Sequence, residues 1–221
     1  MKMHFQDRDE AGALLAQELK EYAKRDDVIV LALPRGGVPV AARIAEALQV
    51  PLDVFVVRKL GVPGHEELAM GAIATGGVRV MNRDVVGSLR VPANVFEEVA
   101  ACEREELERR EREYRDDLPP PNVDGKTVIL VDDGIATGST MLAAIRALRD
   151  LNVGEIIVAA PVAPDSTAAE IERTADKVVV LLVAEYFYGV GGFYEDFSQT
   201  SDDEVRELLA KGRQREAAIA A

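Results

Sequence analysis

Short apolar runs alternate with amphipathic stretches along most of this chain. A run of four to eight apolar residues bounded by turn residues is typical of a strand buried on both faces of a parallel sheet. Apolar residues that recur at helical spacing are typical of a helix with one buried face. The pattern predicts core strands at residues 28–33, 52–57, 128–131, 155–160 and 177–183. It predicts helices at residues 9–24, about 38–48, 141–151, 167–174 and 202–211.

This alternation of strand and helix predicts an α/β fold built on an open, mainly parallel five-stranded sheet with helices on both faces. The chain of 221 residues is long enough to bury a substantial core. We therefore expect a single domain over residues 1–221.

Two segments depart from the alternation. Residues 60–82 are rich in glycine and charge, and Thr75-Gly76-Gly77 lies between two short β-like pieces. They predict a flexible loop or a small hairpin that could act as a lid, with residues 61–68 as the loop. Residues 92–118 predict a long charged helix inserted between core strands, ended by three prolines. A solvated helix fits this composition best, and a helical hood or an oligomer contact are the alternatives.

Composition and charge narrow the function. The chain is 48% hydrophobic and 29% charged, as in ordinary soluble proteins, and its net charge of −13 argues against nucleic-acid binding. The single cysteine, Cys102, suits a reducing compartment. The chain has no signal-peptide pattern and no apolar run near the ~20 residues of a membrane helix. We expect a cytoplasmic protein without a membrane partner.

The most informative stretch follows the apolar run that ends at Val131. Asp132 and Asp133 come directly after it, and buried acids of this kind need hydroxyls, a metal or donors as partners. The next residues combine small side chains and hydroxyls at the start of a helix, where exposed N–H groups can hold a phosphate. These residues are Gly134, Ile135, Ala136, Thr137, Gly138, Ser139 and Thr140. A helix cap is the simpler alternative, but two acids exceed what a cap needs.

The stretch Val131–Thr140 resembles the phosphoribosyl diphosphate (PRPP) binding motif of the type I phosphoribosyltransferases. The resemblance implies that Asp132 and Asp133 hold the ribose hydroxyls and that the following loop binds the 5′-phosphate. It also implies Mg²⁺, bound by the two acids directly or through water and ribose hydroxyls. From the resemblance we further expect the sheet order 3-2-1-4-5.

A second group of residues is expected to bind the diphosphate of PRPP. Arg35, Gly36 and Gly37 follow the first predicted strand, and glycines there let the backbone approach a ligand closely. The resemblance implies that such a loop binds diphosphate. Arg58 and Lys59 lie at the end of the second predicted strand and could neutralise the leaving group. Solvated charges are the alternative for this pair.

Six of the eleven Phe and Tyr residues cluster between residues 186 and 197, after the last predicted strand. Aromatic faces stack on planar heterocycles, and the resemblance implies an acceptor base near this segment. Phe187 and Tyr188 are the candidate acceptor-binding residues. The alternative is that these aromatics pack the C-terminal helix onto the sheet.

The resemblance implies an enzyme that transfers ribosyl 5-phosphate from PRPP to a nitrogen acceptor, releasing diphosphate. The partners would be PRPP and a nucleobase-like small molecule, and the protein could form a homo-oligomer. The alternatives are a non-catalytic PRPP sensor and a hydrolase of PRPP or a related sugar phosphate.

Overall fold

A computed structural model describes residues 4–116 and 118–220. The ends of the expected domain, residues 1–3 and 221, and position 117 of the predicted charged helix lie outside the described residues. The helices are α1 Arg8–Glu18, α2 Gly37–Leu48, α3 Arg83–Leu89, α4 Ala93–Arg115, α5 Ser139–Asp150, α6 Asp165–Glu172 and α7 Asp202–Ala220. The strands are β1 Val28–Ala32, β2 Leu52–Val54, β3 Val57–Val62, β4 His65–Ala74, β5 Val78–Met81, β6 Thr127–Val131, β7 Glu155–Pro164 and β8 Lys177–Ala184.

The centre of the fold is a five-stranded sheet in which all neighbouring strands are parallel. Successive side chains of β1 enter opposite cores: Val30 packs with α2 residues such as Ile44, whereas Leu31 packs with α5 residues such as Ile145. Both faces of the sheet are therefore covered by helices. The predicted parallel sheet with helices on both faces is confirmed.

The strand order is β2-β1-β6-β7-β8. Counted along the chain, the five core strands lie in the order 2-1-3-4-5, so the expected order 3-2-1-4-5 was wrong. After β2 the chain returns across the sheet and adds β6 on the free side of β1. Since α2 and α5 cover opposite faces, β1 and β6 form a switch point, where ligand crevices open beyond the strand ends.

The second core strand is shorter than predicted and ends at Val54. The chain then bends, because the backbone N–H of Val56 donates to the Thr75 hydroxyl at 2.9 Å and the N–H of Thr75 donates to the Val56 carbonyl at 2.9 Å. Val57, predicted as the end of this strand, instead starts β3 of a second sheet.

That second sheet is antiparallel, has the order β3-β4-β5, and packs between α4 and α5. It contains the hairpin predicted around Thr75-Gly76-Gly77. Residues 61–68, predicted as a loop, are mostly strand, and only Pro63 and Gly64 form the turn. Glycine suits this turn because the φ of Gly64 is +79°.

The predicted charged helix is α4, which has a buried side as well as a solvated one. Phe96, Leu107 and Tyr114 are buried along it. The buried Arg115 at its end donates to Asp53 at 2.9 Å and to the Val54 carbonyl at 2.6 Å, so α4 is tied to the end of β2. Within the described residues, no helix has both the length and the apolar character that crossing a bilayer requires.

Candidate active site

The two acids of the motif lie at the end of β6, at the switch point of the central sheet. The backbone N–H of Asp132 donates to the Ala159 carbonyl at 3.3 Å, which continues the pairing of β6 with β7 past the strand end. The N–H of Asp133 donates to Oδ1 of Asp132 at 2.9 Å. Both side chains are half-buried, and this contact keeps the two acids side by side.

Burial dominates the electrostatics of this pair. It raises the pKa of the Asp132 carboxyl well above its usual range, and repulsion from Asp133 raises it further. Burial also raises the pKa of Asp133, although the hydrogen bond and the positive charge of Arg8 oppose that shift. The crevice therefore favours a ligand that brings hydroxyl donors or positive charge to the acids.

Asp133 is held by two residues from distant parts of the chain. Nε and Nη2 of Arg8 lie 2.8 and 2.7 Å from Oδ2 of Asp133. The Tyr194 hydroxyl donates to the Asp133 backbone carbonyl at 2.6 Å. Burial, together with the charge of Asp133, raises the pKa of Tyr194, which keeps its hydroxyl a donor. Neither Arg8 nor Tyr194 was predicted from the sequence to contact the acids.

The loop after β1 lies directly against the acidic pair. A Cβ atom on Gly36 would come within 2.0 Å of Oδ2 of Asp133, and one on Gly37 within 2.7 Å of the Val131 carbonyl. Only glycine permits this approach at position 36. The peptide bond between Pro34 and Arg35 is cis. The Arg35 side chain is half-buried, with Nη1 3.5 Å from Oδ2 of Asp202 at the start of α7.

The loop from Gly134 to Thr140 follows the acids directly and contains backbone donors without a protein acceptor among the described residues. The N–H of Ile135 donates to the Val162 carbonyl at 2.9 Å, which fixes the start of the loop. Over the described chain, the N–H groups of Ala136, Thr137 and Gly138 donate to no protein acceptor. The Thr137 and Ser139 hydroxyls lie 3.0 Å apart. Free N–H groups, hydroxyls and a helix start form a cradle that suits a phosphate.

Gly138 shapes this cradle. Its φ is +72°, a conformation that strains other residues, and it leads into the first turn of α5. A Cβ atom there would lie 2.8 Å from Cγ2 of Thr167. The Thr167 hydroxyl, in turn, donates to the Ala136 carbonyl at 2.9 Å. The start of α6 therefore supports the loop from behind.

Arg58 and Lys59 point to opposite sides of β3. Nε of Arg58 lies 2.7 Å from Oε2 of Glu103 on α4, so this side chain is engaged away from the acidic pair. Lys59 is exposed and lines a cavity of about 200 Å³, together with Ser139 and Arg146 of α5. The structure does not bring Arg58 and Lys59 together. Lys59, however, lines the same cavity as Ser139 of the phosphate cradle.

The aromatic segment contacts the loop that follows the acids, but its two candidate residues are not enclosed. Phe187 stacks on Phe193 with ring centroids 5.5 Å apart, and Tyr188 is 97% exposed. Val190 contacts the loop instead, since a Cβ atom on Gly134 would come within 2.5 Å of it. An acceptor role for Phe187 and Tyr188 stays a prediction.

The donors available to a metal are the oxygens of Asp132 and Asp133. Within the described ranges, no three His, Cys, Asp or Glu side chains come together to hold a metal ion. Carboxylate oxygens are the ligands that Mg²⁺ prefers, and Mg²⁺ commonly takes one or two of them and completes its shell with water and substrate phosphate. The acidic pair fits such an ion.

Comparison with known proteins identifies relatives of the whole described core. The sequence model of a family described as "Phosphoribosyl transferase domain" matches residues 6–198. The chain is 45% identical over 205 residues to a Mycobacterium tuberculosis H37Rv protein named "Putative phosphoribosyl transferase Rv0571c". That match covers 93% of this chain and 46% of the relative, so the chain spans about half the length of that relative.

Two further matches differ in extent. The "Bifunctional protein PyrR" of Leifsonia xyli subsp. xyli is 34% identical over 128 residues, which are 57% of this chain and 52% of that protein. The crystal structure of the protein TT1426 from Thermus thermophilus superimposes with a TM-score of 0.84 and 38% identity, over 95% of this chain and 99% of that one. The fold is therefore shared with a solved relative over nearly the full length.

Proposed function

The chain belongs to the phosphoribosyl transferase family, and we propose that it moves ribosyl 5-phosphate from PRPP to a nitrogen of a nucleobase-like acceptor. Diphosphate is the leaving group. The observation that carries the proposal is the contact of Asp133 with Gly36 at the switch point, because it joins the acidic pair to the loop after β1. The phosphate cradle of residues 134–140 adjoins the same pair, so three ligand-binding elements meet in one crevice.

Each element has a part in the proposed reaction. Asp132 and Asp133 accept hydrogen bonds from the ribose hydroxyls, and the free N–H groups of residues 136–138 bind the 5′-phosphate. Arg35, the backbone of Gly36 and Gly37, and Lys59 bind the diphosphate. Arg58 is left out of this set because its guanidinium is engaged by Glu103.

The chemistry depends on positioning and charge. The acceptor nitrogen forms a bond to the anomeric carbon while the bond from that carbon to diphosphate oxygen breaks, and diphosphate leaves with the electron pair. Positive charge that develops on the sugar is stabilised by the two carboxylates beneath it. The nitrogen then loses its proton to water or to a basic group.

Asp132 and Asp133 would hold Mg²⁺, either directly or through water and the ribose hydroxyls. The bound ion would neutralise the diphosphate and so make it a better leaving group. The half-buried, like-charged pair supports this assignment because a cation offsets its repulsion.

The test is diphosphate release from PRPP with Mg²⁺, with and without a panel of purine and pyrimidine bases. Transfer predicts release that requires one of the bases, and Asp133→Asn should abolish it while the exposed Asp150→Asn should not. Release without any base would favour a hydrolase instead. PRPP binding without release under all conditions would favour a sensor and contradict the proposed reaction.

A further inference from the structure

The contact between Arg8 and Asp133 joins residues 125 positions apart in the sequence. The Arg8 side chain is 11% exposed and the Asp133 side chain 13% exposed, so the ion pair is largely shielded from water. Charge-assisted hydrogen bonds that are shielded from water are stronger than surface ion pairs. This ion pair is therefore expected to hold the Asp133 side chain in one orientation.

Both contacts of Arg8 go to the same oxygen of Asp133. Nε and Nη2 approach Oδ2, and Oδ1 stays outside this contact. A carboxylate fixed through one oxygen presents the other in a defined direction. Gly36 lies against the same carboxylate, since an added Cβ atom would come within 2.0 Å of Oδ2 and 3.1 Å of Oδ1, so Arg8 and Gly36 together fix how the carboxylate is turned.

The guanidinium of Arg8 is positioned independently of Asp133. Nη1 donates to the Ser198 carbonyl at 2.7 Å, and the guanidinium lies 4.0 Å from the centre of the Phe197 ring. Arginine suits such a position because its planar group can stack on a ring while its fork donates at the edge. The contacts with Ser198 and Phe197 therefore hold the Arg8 guanidinium in place in addition to its contact with Asp133.

The C-terminal side of this support is itself tied to the N-terminal segment. Phe5 donates from its backbone to the Phe193 carbonyl, and Glu195 donates to the Phe5 carbonyl, both at 2.8 Å. Tyr194, between them, donates to the Asp133 carbonyl. This clip, residues 5–8 together with 193–198, holds Asp133 by its backbone and by its side chain.

We propose that Arg8 is a positioning residue that orients the Asp133 carboxylate toward a sugar hydroxyl of the ligand. The proposal rests on the proposed function, since it takes the ligand of Asp133 to be a ribose 5-phosphate group. Arg8 does not touch the reacting atoms and acts only through Asp133. Its loss should therefore weaken recognition of the sugar and spare recognition of the phosphate.

The experiment compares Arg8→Gln, Arg8→Lys and wild-type protein for binding of ribose 5-phosphate and of inorganic phosphate. Arg43→Gln is the matched control, because Arg43 lines the same cavity as Arg8 and pairs with Asp9 rather than with Asp133. Arg8→Gln should weaken ribose 5-phosphate binding by about tenfold, the scale of one charge-assisted hydrogen bond, and leave phosphate binding within about twofold. Arg8→Lys should recover part of the loss, and Arg43→Gln should match wild type.

Equal losses for both ligands, or no loss for ribose 5-phosphate, would overturn the role of Arg8. If Arg8→Gln does not fold, Arg8→Lys decides alone: a loss confined to ribose 5-phosphate supports the proposal, and wild-type affinity overturns it. Wild-type protein that binds phosphate but gains nothing from the ribose would overturn the proposed function and the role of Arg8 with it. Wild-type sugar binding with an unaffected Arg8→Gln would overturn only the latter.

Discussion

Asp132 is a buried acid beside a second acid, an arrangement that favours ligand binding over stability. Because burial and Asp133 raise the pKa of its carboxyl, the folded state holds this proton more tightly than the unfolded chain does. Stability from this group is complete below the unfolded pKa, near 3.9, and is lost as pH rises through the raised folded pKa. The ligand-free protein therefore carries an electrostatic cost at neutral pH.

Asp132→Asn should remove that cost. At pH 8 we expect the variant to melt at a higher temperature than wild type, because the neutral amide avoids the cost of burying a charge beside Asp133. The difference should shrink toward zero below about pH 3, where the wild-type acid is protonated in both states. Scanning calorimetry from pH 3 to 8 measures it, with Asp150→Asn as the exposed control. A variant less stable than wild type at pH 8 would contradict this account.

Adding a single methyl group at Gly138 tests whether residues 134–140 form the phosphate cradle. In Gly138→Ala the φ of +72° costs about 1–2 kcal/mol, and the new Cβ meets Thr167 at 2.8 Å. Gly125→Ala is the matched control, because Gly125 has a φ of +68° and nothing within 4 Å of the added atom. Both variants should melt at lower temperature, but only Gly138→Ala should lose PRPP affinity, by tenfold or more in calorimetric titration. Equal PRPP affinity in the two variants would show that residues 134–140 do not form the phosphate-binding site.

At the scale of elements, α4 is attached to the sheet by a buried cation. Arg115 is 2% exposed and contacts Asp53 and Glu111, each at 2.9 Å. Burial raises the pKa of Asp53, and the Arg115 charge opposes that shift, so Asp53 depends on this partner to stay ionised. Removing one member of a buried ion pair costs about 3–5 kcal/mol.

Arg115→Ala should therefore lower the free energy of unfolding by an amount in that range. Arg109→Ala, on the same helix but at an exposed position, should leave the urea midpoint unchanged, because solvent screens its ion pairs with Glu106 and Glu113. Urea denaturation of both variants measures the difference. Equal midpoints for Arg115→Ala and wild type would mean that α4 does not depend on this anchor.

Elements with a local signal were predicted from sequence. The apolar run of β6 and the residues from Asp132 to Thr140 carry their own pattern, because a strand buried on both faces and a phosphate loop each need specific residue types in order. The strand order has no such local signature, since it depends on which side of β1 the third core strand joins. Residues 61–68 were predicted as a loop because they are rich in glycine and charge. In the structure only two of these residues form a turn, and the others belong to strands.

The contacts that complete the site are tertiary. Arg8 stands alone at the start of a helix, and nothing near it in sequence indicates Asp133 as its partner. Arg58 was expected at the diphosphate, but the pairing with Glu103 depends on where α4 packs. Sequence patterns predicted the acids and the loops, whereas the contacts of Arg8 and Tyr194 with Asp133 come from packing of the N- and C-terminal segments.

At the scale of the whole molecule, a chain with a net charge of −13 has its candidate ligand site at a pair of acids. An anionic ligand can bind there only if local groups offset that charge. Arg8, Arg35, the free N–H groups of residues 136–138 and a bound Mg²⁺ are the local groups that would do so. The account therefore predicts that PRPP binding depends on Mg²⁺ and on the acids together.

Calorimetric titration of PRPP into the protein, with and without Mg²⁺, tests this central claim most directly. The wild-type protein with Mg²⁺ should bind with a dissociation constant on the order of micromolar, about −8 kcal/mol. Omission of Mg²⁺, or the double substitution Asp132→Asn and Asp133→Asn, should weaken binding by more than about tenfold. Binding that is absent in the wild type, or unchanged in the double variant, would contradict the assignment of this crevice as the PRPP site.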